Sequence, residues 1–300
     1  MGLLRGPVLF IVNPAARRAA RLEALAHRGF RTAGIPYDVR RTESSGHADE
    51  IARQHAGDYE AVFVLGGDGT AIEVLDALAG TGKPVGILPG GTGNLVAHSL
   101  HIPHRVDRAV MALAAGGRAT YDLGVLGDGR HFAFTAGAGL DARMIAETST
   151  AAKRRLGVAA YIHRATVIAL SPRPFHVRAE VEGELVEREA LAVMVANLGT
   201  VFDNVLALGP GIRPDDGMLD LCIYTARRAG EALRLAWRLL RKDFREDGAI
   251  TYRRGRSFRI TCDPPQTLQA DGEIRGMTPY TATVAPGAAL VLVPSPSVDP

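Results

Sequence analysis

Two glycine-rich segments, Gly66-Gly67-Asp68-Gly69-Thr70 and Pro89-Gly90-Gly91-Thr92-Gly93-Asn94, each follow a short apolar run and precede a helical stretch. Loops that follow parallel strands lie at the carboxyl edge of the sheet, so we expect the two loops to be neighbours there. Glycine lets a backbone approach phosphate oxygens closely, and helix N-termini present N–H groups to anions. The pattern therefore predicts an anion-binding edge on an α/β sheet.

Apolar runs alternate with helical stretches throughout the first part of the chain. Most of these runs are continuously apolar, which is typical of parallel strands covered on both faces. The alternation predicts a doubly wound, mostly parallel, Rossmann-like α/β domain over residues 1–124. Predicted strands are 8–13, 37–42, 61–65 and 85–88, and predicted helices are 16–27, 47–54, 71–78 and a short one after Asn94. Thr70 and Glu73 match a capping box, which predicts where the third helix begins.

The pattern changes after Tyr121-Asp122 to short alternating segments separated by Gly, Pro and Asp clusters. This arrangement favours an antiparallel β-sandwich domain over residues 125–289. Predicted strands are 131–135, 175–181, 190–196, 219–224, 257–261 and 281–284, with helices near 153–170 and 231–244. The final run, 290–293, could return to either domain.

Composition excludes several classes of protein. Hydrophobic residues make up 47% and charged residues 22% of the chain, which fits neither disorder nor a disulfide scaffold. The apolar run at 8–12 is far shorter than the ~20 residues of a spanning helix, and no secretory cleavage pattern follows it. Only two cysteines are present. We expect a soluble, cytoplasmic protein in a reducing compartment.

Basic residues concentrate in the second half of the chain. Residues 227–259 contain eleven basic and four acidic side chains, although the formal net charge of the whole chain is only +3. The asymmetry predicts an anionic partner, either a membrane surface or a nucleic acid. The chain shows no recognition helix or aromatic stacking motif, so a nucleic-acid partner is not expected.

Each motif taken alone has an ordinary structural explanation. Asp-Gly is most often a tight turn, Glu73 alone is a helix cap, and Asn13-Pro14 alone ends a strand. Neither glycine loop is a P-loop, because no Gly-Lys-Ser/Thr follows, and there is no GxGxxG fingerprint. Three such turns at one sheet edge together indicate a binding site.

The set of motifs resembles the catalytic domain of diacylglycerol kinases and sphingosine kinases, including the small soluble bacterial lipid kinases. The first domain carries Val12-Asn13-Pro14, the two glycine loops with Glu73, and Tyr121-Asp122-Leu123-Gly124. The second carries the segment 132–139, Pro214-Asp215-Asp216-Gly217-Met218-Leu219-Asp220 and Asp271-Gly272-Glu273, in the family's order. The first glycine loop alone is shared with NAD kinases and phosphofructokinases, so the specificity comes from the whole set.

The resemblance implies that residues 1–124 bind the nucleotide and that residues 125–289 bind a lipid. It implies that the residues around ATP are Asn13, Thr42, Gly67, Asp68, Gly69, Thr70, Glu73, Gly91 and Thr92. Asp271 would be the general base that deprotonates the lipid hydroxyl, with Glu273 beside it. A general base of this kind contributes roughly 10²–10⁴-fold to a rate.

The resemblance also implies Mg²⁺. Asp216, with the backbone carbonyls of Arg213 and Met218, would hold a structural ion, while Asp68 and Asp122 would join the water and Mg²⁺ network near the phosphates. Many family members place Asp directly after the asparagine of the second loop, whereas this chain has Leu95 there. The coordination of the catalytic Mg²⁺ is therefore open.

We expect an ATP-dependent lipid kinase that phosphorylates a diacylglycerol-like or sphingoid hydroxyl between the two domains. One alternative is an NAD kinase, although the second loop and the Asp271-Gly272-Glu273 motif fit lipid kinases better. Another is a catalytically silent lipid- or nucleotide-binding protein of the same fold, although its acidic residues are retained. The acceptor lipid and the oligomeric state, a homodimer included, are left open by the sequence.

Residues 231–244 predict a basic amphipathic helix. Leu233, Trp237, Leu240 and Phe244 form one stripe, and Arg234, Arg238, Arg241 and Arg245 form another. Such a helix can lie in a headgroup layer and associate peripherally with an anionic membrane. The alternative is that the apolar stripe packs on the protein's own sheet. Residues 153–161 are a second candidate for membrane contact.

Overall fold

The computed structural model describes residues 4–16, 19–139, 172–201 and 206–295. The helix predicted near 153–170 and the membrane-contact candidate at 153–161 lie outside the described residues. The chain divides into two units. Unit 1 comprises Met1–Tyr121 with Gly287–Pro300, and unit 2 comprises Asp122–Pro286.

Unit 1 alternates strands and helices, as predicted. Its elements are β1 (Val8–Val12), α1 (Ala19–Ala33), β2 (Tyr37–Arg41), α2 (His47–His55), a 3-10 turn (Ala56–Asp58), β3 (Ala61–Gly66), α3 (Asp68–Ala77), β4 (Val85–Pro89), α4 (Leu95–Ser99) and α5 (Val106–Ala115). Strands β1, β3 and β4 are buried along their whole length. Helix α5 was not predicted, although Val106, Val110 and Leu113 lie at helical spacing and are fully buried.

The sheet of unit 1 is parallel, with the order β2-β1-β3-β4. Chain order and sheet order differ at β1, which has β2 on one side and β3 on the other. Such a reversal creates a crevice at the carboxyl ends of the two central strands. The end of the last strand also joins this sheet, because Val291 pairs in parallel with Val85.

Unit 2 is antiparallel. Its strands are β5 (Gly117–Leu126), which begins in unit 1, β6 (His131–Phe132), β7 (Thr135–Gly139), β8 (Phe175–Val181), β9 (Glu184–Ala190), β10 (Ala192–Ala196), β11 (Thr200–Val201), β12 (Leu206–Ala207), β13 (Leu219–Tyr224), β14 (Ile250–Gly255), β15 (Ser257–Asp263), β16 (Thr267–Ala270), β17 (Glu273–Met277) and β18 (Tyr280–Val293), which ends in unit 1. One helix among the described residues, α6 (Ala229–Leu240), interrupts them.

Two sheet faces enclose the core of unit 2. One sheet has the order β14-β13-β10-β7-β16-β17, and the facing strands are β9, β8 and β15 with the first part of β18. Residues that alternate along β8 and β15, such as Val177 and Ile260, meet Val193 and Leu221 from the opposite sheet. This is the predicted sandwich, and the predicted strand 131–135 is in fact divided between β6 and β7.

Candidate functional site

The four parallel strands of unit 1 deliver the predicted nucleotide residues to one edge of their sheet. Thr42 follows β2, Asn13 follows β1, residues 66–70 follow β3 and residues 89–94 follow β4. The strands are in parallel register, so these positions lie side by side at their carboxyl ends. The structure therefore brings together the first-unit residues that the sequence predicted around ATP.

Asn13 links the ends of the two central strands. Its side-chain Nδ2 donates a hydrogen bond to Thr70 Oγ1 at 2.9 Å, and its Oδ1 accepts one from the backbone N–H of Ala15 at 2.9 Å. Thr42 is buried beside it, and its backbone N–H bonds to the carbonyl of Val12. Asn13-Pro14 thus does more than end a strand, because the amide fixes the β1 loop against the first glycine loop.

The two glycine loops are in direct backbone contact. The N–H of Gly90 donates to the carbonyl of Gly66 at 3.0 Å. A Cβ added at Gly91 would lie 2.6 Å from Gly67 Cα, closer than real carbon atoms approach. Asn94 closes the second loop on itself, because its side chain accepts from Gly91 N and donates to Gly91 O. The glycine at 91 is therefore required by the close approach of the two backbones.

Helix α3 begins at Asp68, and the capping-box prediction for Thr70 and Glu73 is wrong. Gly67 occupies the N-cap position, and no side chain caps it. Thr70 lies inside the first turn, where its hydroxyl bonds to Asn13. The first N–H groups of an α-helix have no intrahelical partner, and the helix dipole adds partial positive charge at them. The start of α3 at the carboxyl edge therefore presents donors suited to an anion.

Glu73 instead caps the neighbouring helix. Its two carboxylate oxygens accept from the backbone N–H groups of Gly46 at 2.9 Å and Ala48 at 3.2 Å, at the start of α2. The residue therefore holds α2 against α3. Its predicted place near ATP stays a prediction.

Asp68 connects the first glycine loop to the start of α4. Burial raises the pKa of its carboxyl group, while backbone N–H groups of Leu95, Val96 and Asn94 bond to the carboxylate and oppose that shift. A Cβ on Gly93 would lie 2.7 Å from Asp68 Oδ2, so this glycine gives the carboxylate its room. Leu95, the residue after Asn94, contributes its backbone N–H to Asp68.

The second unit fixes Asp271 with main-chain donors. Oδ2 accepts from Ala133 N at 2.7 Å, and Oδ1 accepts from Phe134 N at 2.8 Å and Thr135 N at 3.0 Å. Asp271 also donates its own N–H to the carbonyl of Thr135 and has a left-handed φ of 50° in the turn between β16 and β17. The carboxylate is therefore held in one orientation by three charge-assisted hydrogen bonds.

Glu273 is placed differently from Asp271. It lies on β17, is exposed, and forms an ion pair with Arg275 at 2.9 Å. An exposed pair of this kind adds little stability.

Asp122 anchors the turn Pro214-Asp215-Asp216-Gly217. The Asp122 side chain is 3% exposed, and its Oδ2 accepts from Gly217 N at 2.6 Å. Its backbone N–H bonds to the carbonyl of Pro214. At this turn Arg213 forms a bidentate pair with Asp215 at 3.0 Å, so the guanidinium is engaged locally.

Asn197 links Asp122 to the residues that hold Asp271, and it was not predicted from the sequence. The residue is fully buried, and its Nδ2 donates to the carbonyls of Asp122 at 2.8 Å and Ala133 at 2.9 Å. Ala133 is also one of the donors to Asp271. A hydrogen-bonded path therefore runs from Asp271 through Asn197 to Asp122. The available signal was an asparagine directly after the all-buried strand β10, the same pattern as Asn13 after β1.

The predicted Mg²⁺ ligands are largely engaged by groups of the chain itself. Asp216 contacts Arg254 through Oδ2 and accepts from Met218 N through Oδ1. Asp220 lies nearby, its Oδ2 is buried without a hydrogen-bond partner, and burial raises its pKa to about 6. The charge there favours a cation. Nevertheless, the described part of the chain contains no group of three or more His, Cys, Asp or Glu side chains that could hold a metal. The predicted structural Mg²⁺ site, one carboxylate with two backbone carbonyls, is of a different kind from such a group and stays a prediction.

Two family models cover most of the chain. Residues 7–126 match the diacylglycerol kinase catalytic domain. Residues 135–293 match the YegS C-terminal NAD kinase beta sandwich-like domain. The first match includes both glycine loops, and the second includes Asp216 and Asp271.

Three curated relatives are 28–31% identical to this chain over the aligned residues. The diacylglycerol kinase of Bacillus subtilis is 29% identical over 277 residues, which covers 90% of each chain. The diacylglycerol kinase of Staphylococcus carnosus is 28% identical over 82% of this chain and 81% of its own. An uncharacterized protein of Synechocystis is 31% identical over 78% of this chain, and the match spans 54% of that protein's length.

Solved structures share the fold. A diacylglycerol kinase crystal structure from Bacillus anthracis has a TM-score of 0.76 at 20% identity, covering 97% of this chain and 98% of that one. Another Bacillus anthracis structure has a TM-score of 0.82 at 23% identity, covering 97% and 96%. The predicted fold class is therefore confirmed.

Proposed function

The chain belongs to the diacylglycerol kinase family and is a lipid kinase, and on that premise we propose that it transfers the γ-phosphate of ATP to the hydroxyl of a diacylglycerol-like or sphingoid lipid. One observation carries the proposal for the donor. Two glycine loops in backbone contact, the start of α3 and the Asn13–Thr70 hydrogen bond meet at a single sheet edge. Such an edge suits a polyphosphate.

The first unit would act mainly by positioning the nucleotide. Phosphoryl transfer has a loose transition state, so a kinase gains most from holding the phosphates and neutralising charge. Backbone N–H groups at residues 67–70 would face the phosphate oxygens, because the glycines at 67 and 69 leave no Cβ in the way. Asn13 and Thr42 would border the nucleotide from the neighbouring strand ends.

Mg²⁺ would enter with ATP as the metal–nucleotide complex. Mg²⁺ keeps several waters and is usually bound by one or two carboxylates together with substrate phosphates. That coordination agrees with the carboxylates of Asp68, Asp122 and Asp216, which bond to groups of the chain itself. Among the described residues, none of them belongs to a cluster of three or more ligand side chains. When bound, the ion supplies charge neutralisation to the triphosphate.

Asp271 would be the general base. As the lipid oxygen forms its bond to the γ-phosphorus, the hydroxyl proton passes to the Asp271 carboxylate, and the bond from phosphorus to the β,γ-bridging oxygen breaks to release ADP. The three backbone donors from 133–135 keep this carboxylate in a fixed orientation, which limits the reorganisation needed during transfer. Glu273 follows it on β17 and would contribute only to the local charge.

A lipid acceptor requires the protein to meet a bilayer surface. Across the described residues, no helix has the length and apolarity needed to cross a membrane. Because the proposed acceptor is a membrane lipid, we propose peripheral association, in which the protein takes its acceptor from the membrane surface.

A panel of acceptors tests the proposal. Purified protein is incubated with ATP labelled in the γ-phosphate, Mg²⁺ and mixed micelles of diacylglycerol, ceramide, sphingosine or phosphatidylglycerol, with NAD as a soluble alternative. We expect label in a lipid product. Label on NAD alone would favour the NAD kinase alternative, and transfer to none of them by folded, ATP-binding protein would favour the silent one.

A further inference from the structure

Helix α6 presents an apolar stripe to solvent. Its inner face carries Ala232 and Leu235, which are buried, and Leu239, which packs on the core cluster beneath the helix. Its outer face carries Leu233, Trp237 and Leu240, whose exposed fractions are 49%, 60% and 48%. The alternative prediction, that this stripe packs on the protein's own sheet, is therefore wrong for these three residues.

Basic side chains border the exposed stripe on one side. Arg234 and Arg241 are seven residues apart and so project from the same side of the helix. The Arg241 guanidinium lies 5.2 Å from the centre of the Trp237 ring. Within the described part of the chain, Arg234 makes no hydrogen bond or ion pair. The helix therefore places apolar groups at its outermost line and cations directly beside them.

A cavity of about 390 Å³ adjoins this basic side. Arg227, Arg234 and Arg238 line it together with Glu231 and Asp247. Arg227 is already paired with Glu189, and Arg238 with Asp247. Among the arginines that line the cavity, Arg234 is thus the one whose charge is not paired within the described residues, so it is available to an external anion.

We propose that α6 is an interfacial helix that docks on an anionic phospholipid bilayer. Leu233, Trp237 and Leu240 enter the boundary between headgroups and acyl chains, and Arg234 and Arg241 contact lipid phosphates. Tryptophan and arginine are suited to this depth, because each combines an apolar body with a polar end. The inference rests on the proposed function only in that the acceptor is a membrane lipid.

Charge complementarity favours a bilayer over a second copy of the chain. In an antiparallel contact of two copies through this face, the Arg234 and Arg241 rows would lie on the same side of the contact, and like charges repel. An anionic bilayer instead supplies phosphates to both arginines.

The single tryptophan provides a direct probe, since Trp237 is the only one in the chain. The unlabelled full-length protein, without ATP, is titrated with vesicles of phosphatidylcholine containing phosphatidylglycerol. We expect a blue shift of the tryptophan emission and protection from acrylamide quenching. We expect little change with phosphatidylcholine alone, and weakening as salt rises.

Paired variants separate the apolar and charged contributions. Arg234→Gln with Arg241→Gln should weaken vesicle partitioning about thirtyfold, since each arginine near an anionic surface contributes ~1 kcal/mol. Its control is Arg178→Gln with Arg259→Gln, which removes two exposed charges from strands β8 and β15.

Leu233→Ala should weaken partitioning about tenfold or more, because each buried methylene strengthens it about fourfold. Its control is Leu185→Ala on β9, whose side chain is also 49% exposed. Partitioning of both controls should stay within about twofold of the parent.

Three results would overturn the proposal. The first is an unchanged tryptophan emission with anionic vesicles while the protein binds them. The second is equal weakening by the α6 variants and their controls. The third is a concentration-dependent blue shift without vesicles, accompanied by dimers in sedimentation velocity, which would assign the stripe to a second copy. The vesicle measurements need no ATP. If α6 fails to dock but the protein phosphorylates lipid in detergent micelles, the lipid kinase proposal stands. If α6 docks but the protein phosphorylates no lipid, only the lipid kinase proposal falls.

Discussion

Replacing Asp271 by Asn separates the proposed chemical role of this residue from its structural role. The carboxylate accepts three backbone hydrogen bonds, at 2.7, 2.8 and 3.0 Å. Asparagine keeps one acceptor oxygen and presents an NH₂ group in place of the other. With the amide oxygen towards Phe134 and Thr135, the NH₂ group would face the Ala133 N–H, donor against donor.

The expected loss of stability follows from the hydrogen bonds that asparagine cannot keep. One charge-assisted bond is lost and one buried donor is left unpaired, which costs about 1–3 kcal/mol. Typical domains have about 5–15 kcal/mol of stability, so the variant should stay folded with a melting temperature several degrees lower. The loss of the base should lower kcat by a further factor of about 10² or more.

The assay measures kcat on diacylglycerol micelles, ATP binding by calorimetry, and Tm by circular dichroism. Glu182→Gln is the control for loss of a backbone-bonded charge alone, because Glu182 Oε1 accepts two backbone N–H groups, from Arg256 and Ser257, in the same unit, and a glutamine oxygen can keep both. We expect both variants to bind ATP normally, Asp271→Asn to lose more stability than Glu182→Gln, and only Asp271→Asn to lose kcat. A kcat above one tenth of the parent value, or equal losses in the two variants, would refute the assignment.

Three further perturbations test the supporting structure. Gly91→Ala places a methyl group 2.6 Å from Gly67 Cα, so it should separate the glycine loops and weaken ATP binding at least tenfold, while unchanged binding by calorimetry would contradict the packing argument. Asn197→Leu leaves two buried carbonyls without their donor, so it should cost about 1–3 kcal/mol for each carbonyl and lower kcat more than KM rises; a drop in Tm with unchanged kcat would make the residue purely structural. Asp107 pairs with Arg105, which holds the pKa of its carboxyl well below the ordinary value, so the stability it adds is fully present above about pH 4 and is lost gradually as pH falls through the lower pKa of the folded state. Asp107→Asn should therefore lower Tm at pH 7 by clearly more than at about pH 2, and an equal deficit at both would contradict this.

The sequence predicted the first unit well because its signals are local. Strands β1, β3 and β4 are continuous apolar runs between turns, and such runs identify buried parallel strands without tertiary information. The start of α3 was misplaced because Thr70 and Glu73 satisfy a local capping pattern, whereas in the fold both side chains bond to other elements. Hydrogen bonds to residues of other elements thus take the place of the local capping bonds.

The side-chain contacts of the second unit were harder to predict from the sequence, because they join distant parts of the chain. Asp271 bonds to residues 133–135, more than 130 positions earlier, and Asn197 bonds to Asp122 across 75 positions. No spacing rule connects such positions before the strands are in register. The exposure of Trp237 was likewise hidden, since a helical stripe has the same periodicity whether it faces the core or the solvent.

The most direct test of the account is a competition between the two acceptor classes in one reaction. Protein, labelled ATP and Mg²⁺ are incubated with equimolar diacylglycerol in micelles and NAD, and the products are separated into organic and aqueous phases. The account predicts label in a lipid phosphate monoester in the organic phase, reduced about a hundredfold or more when Asp271 is replaced by Asn. Label confined to phosphorylated NAD, or an undiminished lipid product from the variant, would contradict it.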